Sequence, residues 1–153
     1  MFNLISYNTC DLSKKEKIEI IKLKDSHWKF GIRKQILYYN KTFKNKDLNN
    51  LLYYKKKLVG FTALRKSFYR VNKIKKFFYI FDTLIINKNF RKKKFGNLLM
   101  YFNNLIIFKT KLPAFLICKK RVVKFYKKYG WKISKNNNVF PNNKSKVVMI
   151  LKP

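Results

Sequence analysis

Histidine is nearly absent from this chain: its 153 residues include one, His27. A metal centre built on imidazoles is therefore not expected, and no metal is assigned. Cysteine is almost as scarce. Cys10 and Cys118 lie far apart with no framework spacing, so neither a disulfide scaffold nor a thiolate metal site is indicated. Four glycines and three prolines leave no stretch with the composition of a flexible linker. The length suits a single domain spanning 1–153. No apolar run is long enough to span a membrane. Met1 to Ser13 is too short and too polar for a signal peptide. A cytoplasmic protein with no membrane partner is expected.

Acidic side chains are also few, six against 38 Lys and Arg, giving a net charge of +32. Such a charge suggests a polyanion-binding protein. Composition offers another cause. Lys, Asn, Ile, Phe and Tyr make up roughly 90 of the residues, far above ordinary usage. Their codons are the richest in A and T, and neutral Asn is enriched together with Lys. That pattern favours an AT-rich genome over selection for electrostatics, so any nucleic-acid binding is expected to be nonspecific. With 47% hydrophobic and 18% aromatic residues there is ample material for a core, which argues against disorder.

Phe2 to Tyr7 reads as a strand. Ser13-Lys14-Lys15-Glu16 has capping-box spacing and opens a helix ending near Asp25, with Ile18, Ile21 and Leu23 inward. Trp28 to Tyr39 reads as a second helix, with Ile32, Ile36 and Tyr39 on one face. Leu48 to Tyr54 and Leu58 to Leu64, joined by Lys55-Lys56-Lys57, form a hairpin. Phe77 to Ile86 suits a central strand buried on both faces. From Phe95 the period turns helical, with Leu98, Leu99, Phe102, Leu105 and Ile106 on one face. Ala114 to Cys118 is a strand after Pro113, and Arg121 to Tyr129 a short helix capped by Gly130. Trp131 to Ser134 and Val147 to Leu151 close the chain as strands, with a polar loop over 136–145. The order β-α-α-β-β-β-α-β-α-β-β, with one βαβ crossover over 77–118, is α+β or mixed α/β rather than doubly wound.

The segment Ile85 to Leu99 runs from a strand through a basic turn into a helix. Helix N-termini present unpaired N–H groups and a positive dipole end, and successive N–H groups in a tight turn make an anion nest. Gly96 keeps the first helical turn open, and Arg91, Lys92, Lys93 and Lys94 add charge. By itself this is equally an ordinary basic surface turn. A second segment, Phe125-Tyr126-Lys127-Lys128-Tyr129-Gly130-Trp131, follows at a set distance. Together the two resemble the GNAT superfamily of N-acetyltransferases. Its signature is Arg/Gln-x-x-Gly-x-Gly/Ala after the central strand, then Phe-Tyr-x-x-x-Gly-Phe/Trp. Arg91, Gly96, Phe125, Tyr126, Gly130 and Trp131 match it, and Ile85-Ile86 stand in place of the family's paired valines. The element order fits over nearly the whole chain. Two positions depart: Lys94 stands for the first glycine, and Lys119 for an asparagine that often opens the following helix and contacts cofactor.

The resemblance implies a central mixed, mostly antiparallel sheet of six to seven strands flanked by about four helices. It also implies acetyl-CoA as acyl donor and a primary amine as acceptor. The pantetheine arm would lie along the backbone of Leu84, Ile85 and Ile86, with the pyrophosphate on the N–H groups of Lys92, Lys93, Lys94, Phe95, Gly96 and Asn97. Tyr126 would protonate the departing thiolate, and a backbone N–H near Leu84 or Ile85 would meet the tetrahedral charge. Asp82, the last carboxylate in the chain, is the candidate base. Strand alternation would put it on one face with Leu84 and Ile86. An ion pair with a lysine is an equal reading of Asp82. His27 reads as a helix-end surface histidine and Cys118 as a buried structural thiol.

Two other functions stay open: a basic nucleic-acid-binding module and a CoA-binding domain without catalysis. The acceptor is not legible, although the positive field disfavours polycationic amines. A monomer or a homodimer is expected.

Overall fold

Capping decides where the first helix begins. The Ser13 hydroxyl accepts from the Glu16 amide at 3.2 Å, and the Glu16 carboxylate accepts from the Ser13 amide at 2.8 Å. The computed structural model describes residues 1–135, 139–140 and 145–153. Its strands are β1 (Phe2–Asn8), β2 (Leu48–Tyr54), β3 (Lys57–Val71), β4 (Ile74–Ile86), β5 (Ala114–Cys118), β6 (Lys132–Ile133) and β7 (Val147–Leu151). Its helices are α1 (Lys14–His27), α2 (Ile32–Thr42), α3 (Phe95–Thr110) and α4 (Val123–Lys127). The strands form one seven-stranded sheet in the order β1-β2-β3-β4-β5-β7-β6. β4 and β5 run parallel, while β1–β2, β2–β3, β5–β7 and β6–β7 are antiparallel. This is the mixed, mostly antiparallel α/β architecture expected.

The chain divides into two compact units, Met1–Arg65 with Asp82–Asn103, and Lys66–Phe81 with Asn104–Pro153. In the first unit, β1 pairs with β2 from Phe2–Tyr54 to Asn8–Leu48. The β2–β3 turn is two residues, Lys55 and Lys56, both at positive φ (47° and 62°), as a tight hairpin demands. Two apolar clusters form. One joins Ile20 and Leu23 of α1, Tyr39 of α2 and Phe43 to Leu51, Phe61, Ala63 and Ile85. The other joins Phe95 and Leu99 of α3 to Leu52 and Val59, with Leu84 and Ile86 against it. Gly60 leaves room where β3 passes under α3: a Cβ there would meet Ile86 Cδ1 and Leu99 Cδ1 at 2.8 Å, so those side-chain ends would have to shift.

In the second unit, β5 pairs with β7 from Ala114–Leu151 to Cys118–Val147. Phe78, Phe115 and Val148 form its core, with Ile80, Val139, Phe140 and Ile150 packed around them. Gly130 sits at φ 83°, as a left-handed cap glycine should.

Several expected details differ. α2 begins only at Ile32, because Gly31 at φ 88° interrupts the chain after α1. Ile18 is 39% exposed, and Ile20 takes its expected place in the core. Phe77 is exposed, so β4 is buried only from Phe78 onward. The helix read over Arg121 to Tyr129 is shorter, a 3-10 turn followed by α4. The last-but-one strand contracts to Lys132–Ile133. The polar loop read over 136–145 lies, apart from 139, 140 and 145, outside the described residues.

Candidate active site

β4 leaves the sheet at Asn87, whose amide donates to the Val59 carbonyl at 2.8 Å. The side chain of Asn87 caps a 3-10 turn by accepting from the Asn89 amide at 3.1 Å. The Phe90 and Arg91 amides donate to the Asn87 and Lys88 carbonyls. Beyond Arg91 this pattern stops. Lys92 and Lys94 take positive φ of 66° and 57°, and α3 starts at Phe95. The amides of Lys92, Lys93, Lys94, Phe95 and Gly96 make no hydrogen bond among the described residues. Asn97 departs from expectation, since its amide is already given to the Lys94 carbonyl at 3.0 Å. Five consecutive N–H groups at a turn with left-handed residues and a helix start make an anion nest. Lys92, Lys93 and Lys94 are exposed around it.

The turn is held by neighbours the sequence did not single out. Tyr54 contacts Phe90 and Phe95 edge-on or tilted, with centroids 5.9 and 5.4 Å away, and Lys93 Nζ lies 5.9 Å from the Tyr54 ring. Arg91 braces the turn from outside: its Nε donates to the Ile86 carbonyl at 3.4 Å, and its Nη2 to His27 Nδ1 at 3.2 Å. A guanidinium only donates, so His27 accepts as a neutral ring with its proton on Nε2. Burial, then the charges of Arg91 and Lys88, hold His27 below its ordinary pKa. His27 is a helix-end residue, as read, with a structural partner.

Lys94 occupies the backbone conformation that the signature's first glycine would supply. A β-carbon there costs about 1–2 kcal/mol, so the turn keeps its shape under local strain. Gly96 is less constrained than expected; the nearest atom to a Cβ there is Ile86 Cγ1 at 4.0 Å.

Thr83 corrects the expected alternation of β4. This β-branched residue has φ 62°, an outlier at which the side chains of β4 change face. Leu84 and Ile86 face the α3 cluster, while Ile85 faces the α1–α2 cluster. Asp82 does not share the Leu84–Ile86 face; it opens on a cavity shared with α1 and α2. Its Oδ2 accepts from Arg65 Nε at 2.7 Å and its Oδ1 from the Thr83 hydroxyl at 3.0 Å. The ion pair is with an arginine rather than a lysine. A carboxylate offers about four acceptor positions, so Asp82 retains capacity toward the cavity.

That cavity, about 480 Å³, is lined by Trp28, Phe30 and Tyr38 with Lys24, Asp82 and Thr83. Lys24 is 3% exposed. Its Nζ lies 4.9 Å from the Tyr38 ring centroid and 5.5 Å from that of Phe43. Burial lowers its pKa; Asp82 opposes and Arg65 reinforces that shift. The sequence did carry a signal for Lys24, since it follows buried Ile20 by four residues and Ile21 by three.

The second unit holds Tyr126 and Lys119. The Tyr126 ring packs against Phe81, Phe125 and Trp131 with centroids 6.3, 5.2 and 6.4 Å away. Its hydroxyl makes no hydrogen bond among the described residues. Burial, with a smaller contribution from Cys118, pushes its pKa up to about 12, so the phenol stays protonated. Cys118 is buried beside Met149. Lys119 is exposed at the N-cap of the 3-10 turn and gives no side-chain cap, where asparagine would accept a hydrogen bond.

No family model matches the chain, and no curated protein matches it. Solved structures do. An acyl-CoA N-acyltransferase from Pseudomonas aeruginosa is 12% identical, with TM-score 0.73 over 98% of this chain and 99% of that one. The ribosomal-protein-S18-alanine N-acetyltransferase of Escherichia coli is also 12% identical, with TM-score 0.70 over 99% and 94%. PaiA N-acetyltransferase from Thermoplasma acidophilum, in complex with coenzyme A, is 18% identical, with TM-score 0.63 over 99% of both chains. At such identities the likeness is one of fold. This chain has the fold of the GNAT N-acetyltransferases.

Proposed function

We propose that this protein is an N-acyltransferase that moves an acetyl group from acetyl-CoA to a primary amine. The observation that carries the reading is the run of five unpartnered amides from Lys92 to Gly96 at the start of α3. A pyrophosphate is the ligand such a nest suits, and nearby lysines add to its field. CoA complexes among proteins of the same fold support the choice of donor. The backbone of Leu84, Ile85 and Ile86 would carry the pantetheine, and Lys119 would lie near the cofactor as a charge rather than a hydrogen-bonding amide.

In the reaction the neutral amine nitrogen attacks the thioester carbonyl carbon. The carbon–sulfur bond then breaks, and the sulfur leaves as a thiolate. Tyr126 gives that thiolate its proton, which burial keeps on the phenol until the sulfur departs, and solvent then returns a proton to the phenolate. Asp82 takes the proton that the nitrogen releases, directly or through water. The test is thioester consumption with an amine panel. Tyr126→Phe should lower kcat by on the order of 100-fold with acetyl-CoA affinity unchanged. An unchanged kcat would remove Tyr126 from the mechanism. Binding of CoA with no transfer to any amine would leave a CoA-binding domain without catalysis.

A further inference from the structure

The cavity between α1, α2 and the start of Asp82–Ile86 has three properties that together define a ligand. Its walls are aromatic: Trp28, Phe30 and Tyr38 line it, and all three remain 36% exposed or more, an unusual cluster of uncovered rings. Its volume, about 480 Å³, matches a small organic molecule. Its polar groups have opposite signs. Asp82 retains acceptor capacity beyond Arg65 and Thr83. Lys24, almost wholly buried, makes no ion pair or hydrogen bond among the described residues; only the faces of Tyr38 and Phe43 meet its ammonium. Asp82 acts on that ammonium but is already paired with Arg65, so an anion entering the cavity would offset the cost of burying it. Lys34 at the cavity edge adds to the attraction, and Arg65 already balances Asp82.

We propose that the cavity binds a small aromatic amino acid, its carboxylate on Lys24, its amino group toward Asp82 and its ring among Trp28, Phe30 and Tyr38. The proposal rests on the acyl-transfer reading for calling this molecule the acceptor, but its binding does not depend on that reading. An amino carboxylate uses both signs of charge and the aromatic walls. A polyamine would set cations against Lys24 and Lys34.

Calorimetry on the full chain, without acetyl-CoA, tests it with L-phenylalanine, phenethylamine and 3-phenylpropanoate. Phenylalanine should bind at least tenfold more tightly than phenethylamine, which lacks the carboxylate, and more tightly than 3-phenylpropanoate, which lacks the amine. Lys24→Met keeps the length and removes the charge, and should reduce the tenfold preference to less than twofold. Equal binding of phenylalanine and phenethylamine, or no binding of any of them, overturns the proposal, even if Lys24→Met does not fold. A separate acetyl-CoA titration keeps the two readings apart. Phenylalanine binding without acetyl-CoA binding would sink acyl transfer alone. Acetyl-CoA turnover confined to amines without a carboxylate would overturn the acceptor assignment and leave acyl transfer standing.

Discussion

Lys94 carries the sharpest consequence at the scale of a single residue. With φ 57°, it holds a conformation in which a β-carbon is strained and glycine is at ease. Lys94→Gly should therefore stabilise the fold by about 1 kcal/mol and leave acetyl-CoA binding equal or tighter. Urea denaturation reads the first and calorimetry the second; a loss of stability would show that Lys94 makes compensating contacts. His27 gives a pH dependence. Its folded pKa is depressed by burial and by Arg91 and Lys88, so the unfolded chain takes up the proton first as pH falls. The His27 contribution is fully present above about 6.5 and is lost as pH falls through the lower folded value. The same protonation ends the Arg91–His27 hydrogen bond. Thermal melts between pH 8 and 5 should show this fall, flattened in His27→Gln; identical profiles would contradict it. His27 was legible in the sequence as a helix-end residue, but its bond to Arg91, 64 positions away, was not.

At the scale of elements, α3 shows what periodicity reveals and where it stops. Its existence and start follow from the pattern after Phe95, but the buried face does not. Leu105 was read as inward and is 67% exposed, while Met100, Asn103 and Ile107 are buried. The helix is apolar on several sides, so hydrophobicity alone does not orient it, and its core includes a polar side chain. Asn103 Nδ2 donates to Thr62 Oγ1 and to the Leu99 carbonyl, both at 2.6 Å, and its Oδ1 accepts from Asn50 at 2.8 Å. Asn103→Leu should cost about 2–3 kcal/mol, because buried Asn50 and Thr62 lose their partners. Asn50 Oδ1 has no partner among the described residues with Asn103 in place, so the cost falls on Asn50 Nδ2 and Thr62. Denaturant melts check this; a change under about 0.5 kcal/mol would mean the network is replaceable. β4 teaches the same lesson. Its strand character was plain in the run from Phe77 to Ile86, but nothing in Thr83 announced the positive φ that separates Asp82 from the face of Leu84 and Ile86.

For the whole molecule, element order was the most legible property, because caps, turns and strand-forming runs are local signals. The register of the two signature segments then pointed to the fold that the solved structures share. The cavity was not legible, because Lys24, Tyr38 and Asp82 meet only through tertiary packing. Net charge proved a poor guide to specific function. It is spread along the chain, whereas the turn before α3 is set apart by backbone amides rather than by its lysines. A pyrophosphate held chiefly by those amides should be less sensitive to salt than a ligand held by surface charge alone.

The most direct measurement is an acetyl-CoA titration of the full chain by calorimetry at low and at physiological ionic strength, repeated with CoA. The account predicts saturable one-to-one binding of both at either salt. Absence of heat together with absence of a thermal shift would contradict it.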